Sequence, residues 1–126
     1  MKTRYMLGWL LAFVLLATHA NAQENNRLYI PDLTGLRGET LSLPVNMDNT
    51  SEITAIQFTL EVPAGITLDM QTVTLSDRKS DHTVTAHPMG GDKYMFMVYS
   101  PTNALLQGQT GEVLTMKLPI PDNFTE

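Results

Sequence analysis

Cysteine is absent from all 126 residues. That excludes a disulfide framework, a cysteine nucleophile and a lipoprotein anchor built on a lipidated thiol. Basic side chains are few, 8 Lys and Arg against 13 Asp and Glu, which argues against nucleic acid or an anionic membrane surface as partner. Tryptophan occurs once, at position 9, so the stacked indole platform of many sugar-binding proteins is missing. Long apolar runs are equally scarce. The one example, Met6 to Ala17, is shorter than the ~20 residues that a spanning helix requires.

That run sits in a segment with the three parts of a secretory leader. Lys2 and Arg4 precede it, and Ala20-Asn21-Ala22 supplies the small-x-small pattern that a signal peptidase accepts. The expectation is cleavage after Ala22: residues 1–22 form the leader and residues 23–126 a single exported domain with no integral membrane segment. Lys2 and Arg4 would leave with the leader, so six basic residues would face thirteen acidic ones, a net charge of −7. A small exported domain without disulfides must rely on its apolar core, which fits a bacterial envelope or extracellular protein. The sequons Asn49-Thr50-Ser51 and Asn123-Phe124-Thr125 read as chance occurrences.

Beyond the leader no stretch has sustained helical periodicity, whereas alternation with period two recurs. Leu41, Leu43, Val45 and Met47 alternate with Thr40, Ser42, Pro44 and Asn46. Ile56, Phe58, Leu60 and Val62 alternate with Ala55, Gln57, Thr59 and Glu61. Leu114, Met116, Leu118 and Ile120 stand opposite Val113, Thr115 and Lys117. Each set has one oily face, as a half-buried antiparallel strand should. Shorter strands are expected at Leu28–Ile30, Thr72–Ser76 and Thr83–His87. Turn chemistry separates them at Gly35–Gly38, at Asp48-Asn49-Thr50-Ser51 and at Pro63-Ala64-Gly65. Met89-Gly90-Gly91-Asp92 predicts a hairpin. The fold class is therefore an all-β antiparallel β-sandwich.

One strand breaks the alternation: Tyr94-Met95-Phe96-Met97-Val98-Tyr99 is apolar on both faces. Either it is a central strand covered on both sides or one face is an apolar strip that docks a partner. Parity leaves open which half points outward. The candidate binding residues are Tyr94, Met95, Met97 and Tyr99, with Gln57 and Thr59 from the polar face of the Phe58 strand.

The order of these segments resembles that of cohesin domains, above all the cohesin-like modules of secreted Bacteroidetes proteins. Gly38-Glu39-Thr40-Leu41-Ser42-Leu43-Pro44-Val45-Asn46-Met47 resembles the family's opening strand. Ala55 to Ile66 resembles the next long strand and its turn, and Lys93 to Ser100 the apolar central strand. Gly111-Glu112-Val113-Leu114-Thr115-Met116-Lys117-Leu118 resembles the strand near the end. The segment Ser76 to Thr83 also has a counterpart. The resemblance covers residues 27–126 and implies a jelly-roll sandwich, structurally akin to carbohydrate-binding modules, that recognises a protein through one sheet face. It also implies that the last strand or strands are lacking. Self-association through an open sheet edge is then expected, with Met116, Leu118 and Ile120 short of neighbours.

No catalytic constellation is visible. Beyond the leader the histidines are His82 and His87, and their five-residue spacing places them on opposite faces of a regular strand. Asp77, Arg78, Asp81 and His82 form the densest polar cluster. It reads as a turn in which Arg78 pairs with Asp77 or Asp81 and His82 caps a backbone carbonyl, with no metal implied. Asp48-Asn49-Thr50-Ser51-Glu52 is oxygen-rich but is explained by Asx turns. The expected function is a secreted, non-enzymatic interaction module without catalytic residues, cofactor or metal, binding a protein. Its alternative is a carbohydrate-binding module for polysaccharide or host glycan.

Overall fold

The computed structural model describes residues 26–125 in full and the backbone pairing of 4–6 and 12–15. The cleavage site expected after Ala22 lies outside the described residues. In chain order the strands are β1 (Arg4–Met6), β2 (Ala12–Leu15), β3 (Arg27–Tyr29), β4 (Thr34–Leu36), β5 (Thr40–Asp48), β6 (Ile56–Glu61), β7 (Asp69–Leu75), β8 (Thr83–Gly90), β9 (Lys93–Tyr99) and β10 (Glu112–Pro119). Among the described residues there is no helix, and so none long and apolar enough to cross a membrane. All pairings are antiparallel. One four-stranded sheet has the order β3-β5-β10-β7, the other β2-β6-β9-β8, and β1 pairs with β4.

The alternation read from the sequence decides which faces meet. Leu41, Leu43, Val45 and Met47 of β5 join Leu114, Met116 and Leu118 of β10 in one buried cluster. Ile56, Phe58 and Leu60 of β6 and Tyr94, Phe96 and Val98 of β9 complete that cluster from the other sheet. Phe58 lies directly opposite Phe96, their rings stacked with centroids 4.8 Å apart and planes 9° from parallel. The chain is thus an all-β sandwich of two antiparallel sheets.

Several details differ from the sequence expectation, each for a local reason. Val113 is buried together with Leu114, because the ladder between β10 and β5 shifts register between Glu112 and Leu114. A bulge of this kind lets two successive residues share a face. Met116, Leu118 and Ile120 are fully packed, since β10 runs between β5 and β7 in the interior of its sheet. The apolar residues expected to lose neighbours therefore keep them. Pro44 is tolerated in β5 because β3 runs alongside only Asn46 to Asp48, so Pro44 lies where the β3 side is free. Within the Gly35–Gly38 segment, Thr34–Leu36 is itself a strand. A Cβ at Gly35 would stand 2.6 Å from Ile120 Cδ1 and 2.8 Å from Leu41 Cδ2, so a larger residue here would have to push both side chains aside.

The hairpin between β8 and β9 is tight. Gly91 and Asp92 form its loop with φ of 61° and 64°, both left-handed. Two such residues in succession are the signature of a type I′ turn, whose twist matches that of the strands it joins. This turn locks the register of β9 and hence decides which of its residues face outward.

Candidate functional site

Burial alternates cleanly along β9: Tyr94, Phe96 and Val98 point inward, while Met95, Met97 and Tyr99 point outward. The open parity of the sequence reading is thereby resolved. Tyr94 does not belong to the outer strip. It is 8% exposed, and its hydroxyl accepts a hydrogen bond from the Leu68 backbone N–H at 3.2 Å, so its polar end is satisfied within the core.

The other candidate residues converge. Residues directly opposite in an antiparallel ladder share a face. Gln57 and Thr85 flank Met97, and Thr59 and His87 flank Met95. Gln57 Nε2 also contacts the Met95 sulfur at 3.5 Å. The outer face of β6, β9 and β8 is therefore a strip with methionine and tyrosine along its centre and polar side chains on either side. Met97 is 37% and Tyr99 40% exposed, so two large apolar side chains stand in solvent on the same face. Neither Thr85 nor His87 reads as a binding residue from sequence, because their place beside β9 depends on the hairpin register.

The polar cluster at residues 77–82 forms a different structure. Arg78 is 9% exposed and spends all five of its guanidinium donors on oxygen atoms. Nε donates to Gln107 O (2.7 Å). Nη1 donates to Met47 O (2.7 Å) and Gly111 O (3.1 Å), and Nη2 to Asn49 Oδ1 (2.6 Å) and Gly108 O (3.0 Å). Its expected pairing with Asp77 or Asp81 does not occur. Burial lowers its pKa, an effect that the nearby Asp48 carboxylate opposes. An open depression of about 410 Å³ lies above this clamp, lined by Asp77, Gln107 and Glu112 among others. The guanidinium has no donor left to offer a ligand there.

Asn49, the acceptor of that clamp, is buried, and its Nδ2 donates to Ser51 O at 2.8 Å. The first sequon is thus closed to modification in the folded chain. The neighbouring Thr50 and Ser51 N–H groups donate to Asn26 Oδ1, which accounts for this oxygen-rich turn. His82 caps a carbonyl as expected. Its Nδ1 accepts from the Ser80 N–H at 3.0 Å, which leaves Nε2 as the protonated nitrogen, 3.0 Å from Thr54 O. Asp81 accepts from the Ser100 hydroxyl (2.5 Å) and the Thr102 hydroxyl (2.6 Å), tying the β9–β10 connection to the β8 side.

These two hydroxyls, Ser100 first, hold the Asp81 carboxyl below the usual carboxylate range. A carboxylate with a lowered folded pKa contributes stability above its unfolded pKa and loses it as pH falls through the folded value. The Ser100–Ala104 turn is therefore expected to loosen only in acid, below about pH 4. Amide exchange at Thr102 and Ala104 followed by NMR from pH 6 to pH 2 measures this. Asp81→Asn should leave the two amides exchanging at a pH-independent relative rate.

Among the described residues no three His, Cys, Asp or Glu side chains come together as metal ligands would. No family model, curated protein or solved structure matches the chain. The class of protein is accordingly stated from its own geometry: an antiparallel two-sheet sandwich with an apolar strip exposed on one outer face.

Proposed function

We propose that this chain is a secreted, cohesin-like interaction module, non-catalytic, that docks a protein partner on the outer face of β6, β9 and β8 once residues 1–22 have been removed. The observation that carries this reading is the outward row Met95, Met97 and Tyr99, bordered by Gln57, Thr59, Thr85 and His87. Apolar strips rimmed by polar groups suit protein recognition, where a central apolar anchor is desolvated and the rim supplies orientation. Methionine adapts its shape to a partner at low cost. The side chains best suited to chemistry, Arg78, Asp81 and His82, are engaged in holding loops together, which supports a non-enzymatic role.

A flat glycan platform needs coplanar aromatic rings, and with Tyr94 turned inward Tyr99 is the single phenol ring on this face among the described residues. Protein recognition is therefore preferred to carbohydrate. Capture of extracellular proteins from the producing cell, run beside a glycan array, separates the two. Met97→Asp is expected to abolish capture by at least tenfold, since a desolvated carboxylate at an apolar contact costs well over 1.4 kcal/mol. Thermal stability should be nearly unchanged, because Met97 faces outward. Glycan binding that survives Met97→Asp and fails with Tyr99→Ala would instead favour the carbohydrate reading.

A further inference from the structure

The edges of the two sheets are not alike. The free edge of β8 carries Pro88 and a register shift between Pro88 and Gly90. Edge strand β7 is bulged, its ladder to β10 shifting register between Thr115 and Lys117, where the Thr72 hydroxyl accepts from the Lys117 N–H. The opposite edge of that sheet, β3, is three residues long. Proline, bulges and short strands are devices by which edges avoid further pairing. Strand β6 has none of them. It pairs with β9 without a register shift from Ile56 to Glu61 and contains no proline. Its other side is covered by β2, in the antiparallel register Ala12 to Leu60, Phe13 to Thr59, Val14 to Phe58 and Leu15 to Gln57. Those four residues are apolar at every position, and they belong to the segment read as leader.

We infer that the outer side of β6 is a strand-acceptor site, whose occupant after loss of the leader is an extended apolar segment of another polypeptide, added antiparallel in the place of β2. Main-chain hydrogen bonds to an exposed sheet edge supply affinity in such augmentation, and alternate side chains supply selectivity. The chemistry of the occupant follows from the strand seated there. A second copy pairing antiparallel through its own β6 about Phe58 would bring Gln57 and Thr59 to the positions that β2 fills with Phe13 and Leu15, so an apolar guest is the better match. The guest strand would extend the same sheet whose outer face carries Met95, Met97 and Tyr99.

The test uses the full chain. Phe13→Pro combined with Val14→Pro removes two successive N–H groups, one of which faces β6, and so unseats β2 without touching the acceptor. The probe is a fluorescent peptide carrying Ala-Phe-Val-Leu between lysine pairs. The double variant is expected to bind it at least ~10-fold more tightly than the unsubstituted chain, whose own strand competes at high effective concentration. Hydrogen exchange should show renewed protection confined to β6. Two peptides N-methylated at alternate residues sharpen the result: one pattern should bind and the other, methylated on the edge facing β6, should not. Should the proline variant fail to fold, Phe13→Gly with Val14→Gly loosens β2 more gently and is measured in the same way. Equal binding by the variant and the unsubstituted chain, equal binding of both methylated peptides, or a variant that dimerises and protects β6 with no peptide present would each overturn the inference. Removal of the leader is read separately from the N-terminus of the exported product. A retained leader would correct the proposed maturation while the peptide result still decides whether β6 accepts a strand.

Discussion

Phe58→Ala is expected to cost about 3–5 kcal/mol, the usual loss for truncating a buried phenylalanine to alanine. The ring is 1% exposed and stacks on Phe96, so the substitution opens a cavity between the two central strands of the second sheet and removes an aromatic pair. Against the roughly 5–15 kcal/mol that holds a domain of this size, the loss is large. It should appear as a fall in Tm of at least 12 °C, at roughly 4 °C or more per kcal/mol for a chain near 100 residues. Gln57→Ala, one residue earlier and outward, should change stability by no more than about 0.5 kcal/mol. Urea unfolding of both variants checks the pair. Equal losses would mean that β6 is out of register by one residue, since a single-residue slip exchanges the two faces.

The second large effect is expected at Arg78. Removing its side chain leaves Met47 O and Asn49 Oδ1 without partners at buried positions. An orphaned buried polar group costs about 1–3 kcal/mol, so Arg78→Ala should destabilise the chain by about 2–6 kcal/mol. The carbonyls of Gln107, Gly108 and Gly111 lose the same donor but can turn to water, and their loop should loosen. That loop also receives the Met47 and Asn49 N–H groups, through Gly111 O and Gln109 O, so exchange should accelerate at those two amides. Arg78→Lys keeps the charge but replaces a planar fork of five donors by one point with three. It is expected to recover only part of the loss. A stability change at Arg78→Ala as small as that of a surface substitution would contradict the clamp.

The alternating runs were legible because one face of each strand is buried, and burial writes itself into sequence with period two. β5, β6 and β10 were therefore read within a residue or two of their ends. The hairpin was legible from Gly90-Gly91-Asp92, because few residues tolerate two left-handed positions in succession. The parity of β9 was not, since both of its faces are apolar and only the register with β6 and β8 orients it. Arg78 was misplaced for a different reason. Four of its five acceptors are main-chain carbonyls about thirty residues distant, and a carbonyl leaves no mark on residue identity, whereas the carboxylates beside it in the chain do. The short strand β4 and the pairing of Ala12–Leu15 with β6 went unread as well, because each depends on a partner far along the chain.

Recognition through the outer face of β9 is examined directly by site-specific photocrosslinking. A benzophenone side chain placed at position 97, with an otherwise identical chain carrying it at position 115 on the outer face of the other sheet, is exposed to the extracellular proteins of the producing cell and irradiated. Docking on this face should give one discrete adduct from position 97, none from position 115, and loss of the adduct when Tyr99→Ala is added. Adducts of equal yield from both positions, or one from position 115 alone, would contradict recognition through the strip of Met95, Met97 and Tyr99.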